Sequence, residues 1–103
     1  MYDVRVSADA ASDLVELARF VAATSGARRA EHLRDMTFAA VATLKDDPLR
    51  GAPRSPKHAG VRFILTRLGT QIVYRVREAE RVVDVIAIAH RGRDIAALLR
   101  MRP

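Results

Sequence analysis

The chain has 103 residues, half of them hydrophobic, and no cysteine. That suffices for one domain, residues 1–103, with a core of its own, and it excludes a disulfide framework, a thiol nucleophile and a thiolate metal site. The formal net charge of +6 is segregated: residues 1–47 hold six basic and eight acidic groups, residues 48–103 hold twelve and four, and only two of the eighteen cations are Lys.

The N-terminus, Met1-Tyr2-Asp3-Val4-Arg5, has no basic region followed by an apolar one, and no run approaches the ~20 apolar residues of a membrane span. A soluble cytoplasmic domain is expected. Tyr2 to Ser7 alternates with period two, which predicts a short strand with Tyr2, Val4 and Val6 on one face. Ser7 is placed to cap a helix with Asp9 in its first turn. Leu14, Leu17, Ala18 and Val21 then form one apolar stripe, with Asp13, Glu16 and Arg19 facing out. Gly26 should end this helix in the left-handed conformation. In the second helix Ala30, Leu33, Thr37, Ala40, Val41 and Leu44 share an inner face, and Phe38 lies outside that arc, either as an edge-of-core aromatic or as an anchor for a partner. Pro48 closes it. So short a link makes the two helices an antiparallel hairpin.

Leu49 to Gly60 contains Gly51, Pro53, Pro56 and Gly60 and reads as a loop. Three strand-like runs follow. Val61 to Arg67 puts Val61, Phe63 and Leu65 on one face and Arg62 on the other. Gln71 to Arg77 puts Ile72, Tyr74 and Val76 opposite Arg75 and Arg77. Val82 to His90 is apolar on both faces apart from Asp84, as a central strand is. Hairpin-length links make these an antiparallel meander. Asp94 is placed to cap one or two terminal helical turns. The order β, α, α, β, β, β gives an α+β two-layer domain with the hairpin on one sheet face. The other face is expected to carry Arg62, Arg75 and Arg77 beside the second apolar row of the last strand, leaving room for a partner segment.

No acidic residue lies between Pro48 and Arg77, where Arg50, Arg54, Lys57, Arg62, Arg67, Arg75 and Arg77 occur. This points to an anionic partner, nucleic acid or an acidic protein segment. His32, His58 and His90 lack metal-ligand spacing, and no Gly-rich phosphate loop or Ser/His/Asp motif is present, so no metal or cofactor is expected.

Five segments in order, "YDVRVSADAASDLVELARFV", "LKDDPLRGAP", "GVRF", "IVYRV" and "VIAIAHRGRD", resemble the RelE/ParE toxins of type II toxin–antitoxin systems along nearly the whole chain. The resemblance implies the family's two-layer fold and a hetero-oligomer with a cognate antitoxin whose C-terminal segment wraps the toxin. It implies one of two activities. ParE-like members block DNA gyrase with no chemistry of their own; RelE-like members cut mRNA on the ribosome.

Cleavage through the RNA 2′-hydroxyl needs a cation at the phosphate and a group that moves protons. Arg62 matches the family's Arg at the start of the second strand, as a phosphate clamp or as a structural Arg. His90 stands where some nuclease members carry a catalytic His, and histidine is a residue type suited to moving protons near neutral pH. Those members follow it with Tyr, whereas Arg91 follows here, and "HRGRD" resembles the ParE-like strand end. Tyr74 is expected in the core, and Lys57 and His58 in a solvated loop. With the nuclease set incomplete, the residues lean away from an enzyme. Arg62, Arg75, Arg77, Arg91 and Arg93 are the expected contacts to target or antitoxin. A basic interaction module without toxicity is the third reading.

Overall fold

Strand β1 (Asp3–Val6) ends where Ser7 turns the chain. The Ser7 hydroxyl accepts a hydrogen bond from the Ala10 N–H at 3.0 Å and caps α1 (Ala8–Ser25), with Asp9 in the first turn. The computed structural model describes residues 1–53 and 60–102. Gly26 has the expected positive φ of 94°, but its ψ of 160° makes it extended rather than left-handed helical. It passes the chain straight into α2 (Ala27–Thr43). Leu14 and Ala18 of α1 and Ala30, Leu33, Thr37 and Val41 of α2 are buried. Thr37 can be buried because its hydroxyl donates to the Leu33 carbonyl at 2.7 Å. Val6, expected on the inner row of β1, is 45 % exposed at the mouth of a groove beside the hairpin.

The remaining strands are β2 (Ala52–Pro53), β3 (Val61–Leu65), β4 (Thr70–Arg77) and β5 (Val82–His90). They form one sheet in the order β1-β5-β4-β3-β2, parallel between β1 and β5 and antiparallel elsewhere. β5 is interior, as its two apolar faces require. The expected loop after Leu49 therefore includes a strand, β2, whose Pro53 is tolerated because β2 is an edge. β3 stops at Leu65 rather than Arg67, because the Thr66 N–H and C=O turn back to Thr70 and Gly69.

The sheet packs on both faces. Toward the hairpin lie Ile64, Ile72, Tyr74, Val83, Val85 and Ile88 with Leu14, Leu33 and Leu44. On the opposite face lie Val61, Val73, Ile86, Ala87 and Ala89, and a terminal helix, α3 (Ile95–Arg100), sets Ile95, Leu98 and Leu99 against them. The second apolar row of β5 is thus covered by the chain itself, not left for a partner segment. A register shift opposite Val73 and Tyr74 puts consecutive Ile86 and Ala87 on the same side and widens that row.

Candidate functional site

Arg62 pairs with Tyr74 across β3 and β4, so it lies on the hairpin face of the sheet. It does not share a face with Arg75 and Arg77, as the sequence led us to expect, because Val61 and not Arg62 stands opposite Arg75. The Arg62 guanidinium donates through Nη1 to the carbonyls of Gly51 at 2.7 Å and Leu49 at 3.4 Å. Tyr74 is fully buried, and its hydroxyl accepts the Gly51 N–H at 2.9 Å. Burial pushes the Tyr74 pKa up, against the opposing effects of that bond and of the Arg62 and Arg50 charges. Tyr74 and Arg62 therefore hold the two backbone groups of one residue, Gly51, and with it the start of β2. Tyr74 is packed as expected, and Arg62 has a structural bond to make whatever else it does.

His90 stands exposed at the end of β5, opposite Thr70. Its Nδ1 lies 2.7 Å from the Arg91 carbonyl, which can only accept, so Nδ1 carries the proton. A neutral His90 then has Nε2 as its acceptor. The Arg91 N–H donates to the Gly69 carbonyl at 2.6 Å and the Arg93 N–H to the His90 carbonyl at 3.2 Å. Gly92, at φ 91°, makes the turn between them. The Asp94 carboxylate accepts the Ala97 N–H at 3.0 Å and caps α3, as expected. His90 and Arg91 border an open pocket of about 550 Å³ with Arg67 of the preceding turn. His90 and Arg93 border a smaller one of about 220 Å³ with Asp13, Glu16 and Phe20 of α1.

Arg62 and His90 are not brought together. Their β4 partners, Tyr74 and Thr70, are four residues apart, and two strand spacings separate β3 from β5. That is about 13 Å along the sheet and about 10 Å across it. The Arg62 side chain is tied to Gly51 at the β2 end of the sheet, so one phosphate could not touch both groups.

On the opposite face Arg77 bonds Asp84, with Nε–Oδ2 at 2.7 Å and Nη2–Oδ1 at 3.3 Å. Arg75 stands directly opposite Asp84 in the ladder. Lys57 and His58 lie outside the described residues. Among the described residues no group of three or more His, Cys, Asp or Glu is placed to hold a metal ion, and no helix is long and apolar enough to cross a membrane.

Two features escaped the sequence reading. Asp13, expected to face outward, accepts a bidentate contact from Arg102 at 2.6 and 2.8 Å and the Ile88 N–H at 3.0 Å. The second is an apolar groove of about 710 Å³ bordered by α1, α2 and Val6. Ala11, Ala18 and Ala30 leave it open between larger side chains, and Val15 and Phe38 stand 49 % and 59 % exposed on it. The position of Phe38 outside the buried arc was its one visible signal.

The same architecture recurs in solved structures. One from the chromosomal ParDE toxin–antitoxin system of P. aeruginosa matches with a TM-score of 0.76 and 20 % identity, over 89 % of this chain and 98 % of that one. The isolated E. coli RelE toxin matches with 0.61 and 18 %, over 99 % and 98 %. A chain of the intact E. coli RelBE toxin–antitoxin complex matches with 0.61 and 19 %, over 90 % and 100 %. At these identities they establish the fold. No curated protein sequence matches. The family model for the ParE toxin of the type II toxin–antitoxin system parDE matches residues 4–95, from β1 to the start of α3. The chain is a member of that ParE toxin family, within the RelE/ParE fold.

Proposed function

We propose that this protein is a ParE-like toxin that inhibits DNA gyrase by binding, without chemistry of its own, and that a cognate antitoxin neutralises it in a hetero-oligomer. The observation that carries the non-catalytic reading is the separation of Arg62 from His90, with the Arg62 guanidinium tied to Gly51 and Leu49. A phosphate clamp and a proton-transfer group must meet at one phosphate. The turn that carries Arg91 and Arg93 supplies the cationic surface for the target. For the antitoxin, an amphipathic helix suits the apolar groove of the hairpin, and an acidic segment suits Arg75 and Arg77 on the opposite face. The second reading, ribosome-dependent mRNA cleavage, draws on the tautomer of His90, whose Nε2 is an acceptor when the ring is neutral.

Purified toxin, with and without antitoxin, tested against gyrase supercoiling and against ribosome-bound mRNA separates the two. Inhibited supercoiling with intact message is expected. Cleaved message with unaffected gyrase would replace the proposal with the second reading.

A further inference from the structure

Two side chains 89 residues apart finish the sheet where β1 stops. β1 pairs with β5 only from Asp3↔Val82 to Val6↔Val85, and the Ser7 N–H adds a last bond to the Val85 carbonyl. β5 runs on to His90 beyond the end of its neighbour. Buried backbone groups there need partners. The Ile88 N–H donates to Asp13 Oδ2 at 3.0 Å, and the Ile86 carbonyl accepts from Arg102 Nη1 at 3.0 Å. Asp13 and Arg102 hold each other in a two-bond contact, each side chain only 14 % exposed.

We propose that Asp13 and Arg102 act as a side-chain continuation of the sheet, one acceptor and one donor in place of a strand's backbone, and that they are the positioning residues for the cationic turn. The bond from Arg102 to Ile86 closes a ring through the end of β5, the turn with Arg91 and Arg93, and α3. Inside that ring the Asp94 cap fixes the start of α3, and Ile95, Leu98 and Leu99 fix its face. The turn is therefore held from both sides and presented in one orientation. An ordinary ion pair tolerates exchange of its two charges. This one does not: an arginine at position 13 has no acceptor for the Ile88 N–H, and an aspartate at position 102 has no donor for the Ile86 carbonyl. The consequence for toxicity rests on the proposed reading that the turn meets the target, whereas the consequence for the backbone does not.

Hydrogen exchange on the full chain tests it, following the Ile88, Ala97 and Leu98 amides relative to Ile72 on β4. In Asp13→Ala, and in Asp13→Arg combined with Arg102→Asp, relative exchange at Ile88 should rise on the order of tenfold. Wild-type relative exchange in the charge-exchanged protein would overturn the proposal. Where that protein does not fold, Arg102→Lys serves. It keeps the charge without the planar fork, so Ala97 and Leu98 should loosen while Ile88 stays protected. Unchanged protection of all three amides in Arg102→Lys would equally overturn it. Growth inhibition by the same variants separates this inference from the functional reading. Loosened amides with full toxicity leave the positioning role standing and count against the turn as the target contact. Loosened amides with lost toxicity, matched by Arg91→Ala, support both.

Discussion

Gly51 has no room for a side chain: a Cβ there would lie 2.5 Å from the Tyr74 hydroxyl and 2.7 Å from the Phe63 carbonyl. Gly51→Ala must displace Tyr74 from the core or push β2 off β3. Tyr74→Phe is milder and isolates one bond, since it leaves the Gly51 N–H without its acceptor, at a cost of about 1–3 kcal/mol. Urea denaturation at pH 7 measures that loss. The pH dependence gives a second reading of the same hydroxyl. Its pKa in the folded chain is raised, chiefly by burial, above the ordinary value of 10.0. The folded state therefore holds this proton more tightly than the unfolded chain. Its contribution is whole below about pH 10 and is lost as pH rises through the folded pKa. Wild type should lose stability faster than Tyr74→Phe above pH 10, and parallel curves would mean that the hydroxyl titrates alike in both states. His90 is the residue on which the two functional readings part. A general acid or base contributes a factor of ~10²–10⁴, so His90→Gln would remove nuclease toxicity. On the gyrase reading no proton moves, and the folded mutant should inhibit growth as wild type does, while Arg91→Ala with Arg93→Ala should not. A His90→Gln protein that melts normally and binds antitoxin but has lost toxicity would sink the non-catalytic reading.

Among the elements, those with a strong period were legible in the sequence. The 3.6-residue stripe through Leu14 and Ala18, the alternation through Ile72, Tyr74 and Val76, and the Ser7 and Asp94 caps all read correctly, because each signal lies within a few residues. The antiparallel pairing of β3 with β4 read correctly too, but its register did not. Side chains alternate with period two, so the face of Arg62 relative to Arg75 depends on a register set by the turn from Thr66 to Gly69, and one residue of slip reverses it. Nor did α3 show as the cover of the second sheet face, because a run as short as Ile95 to Leu99 has no periodicity to aim it. Asp13 looked like an outward helix residue, since its partner Arg102 is too distant in the chain to leave a local trace. These corrections reshape one expectation about the antitoxin. The apolar half of the motive for docking on the Arg75 and Arg77 face is gone, taken by α3, and only charge remains there. Glu at either position would set a carboxylate against Asp84, opposite Arg75 and bonded to Arg77. Gln is the cleaner change. Arg75→Gln with Arg77→Gln should weaken antitoxin binding several-fold, lost mainly from the association rate, with the melting temperature nearly unchanged. Calorimetric titration showing wild-type affinity would remove this face from the interface.

At the scale of the whole molecule the two kinds of surface separate in place and in kinetic role. The half with twelve basic and four acidic groups, from Pro48 onward, supplies most of the sheet and the cationic turn. The half with six and eight, up to Asp47, supplies the hairpin and its apolar groove. Charge acts over a screening length of about 10 Å at 0.1 M salt and about 3 Å at 1 M, so its effect falls on encounter. Apolar contact acts only once water is expelled, so its effect falls on dissociation. Stopped-flow measurements with the cognate antitoxin should therefore show an association rate that drops on the order of tenfold or more from low salt to 1 M, and a dissociation rate that hardly moves. Phe38, exposed on the groove, should show the opposite pattern. Burying a Phe side chain contributes about 1.5–3 kcal/mol, so Phe38→Asp should raise the dissociation rate by roughly 10- to 100-fold and leave the salt dependence of association intact. Because Phe38 lies outside the buried arc of α2, this substitution leaves the core untouched, and an unchanged melting temperature is the control. Were Phe38→Asp to dissociate at the wild-type rate, the antitoxin would not occupy the groove, and the cationic surface would have to hold the complex alone. Dissociation would then accelerate with salt, and the same salt series would reveal it.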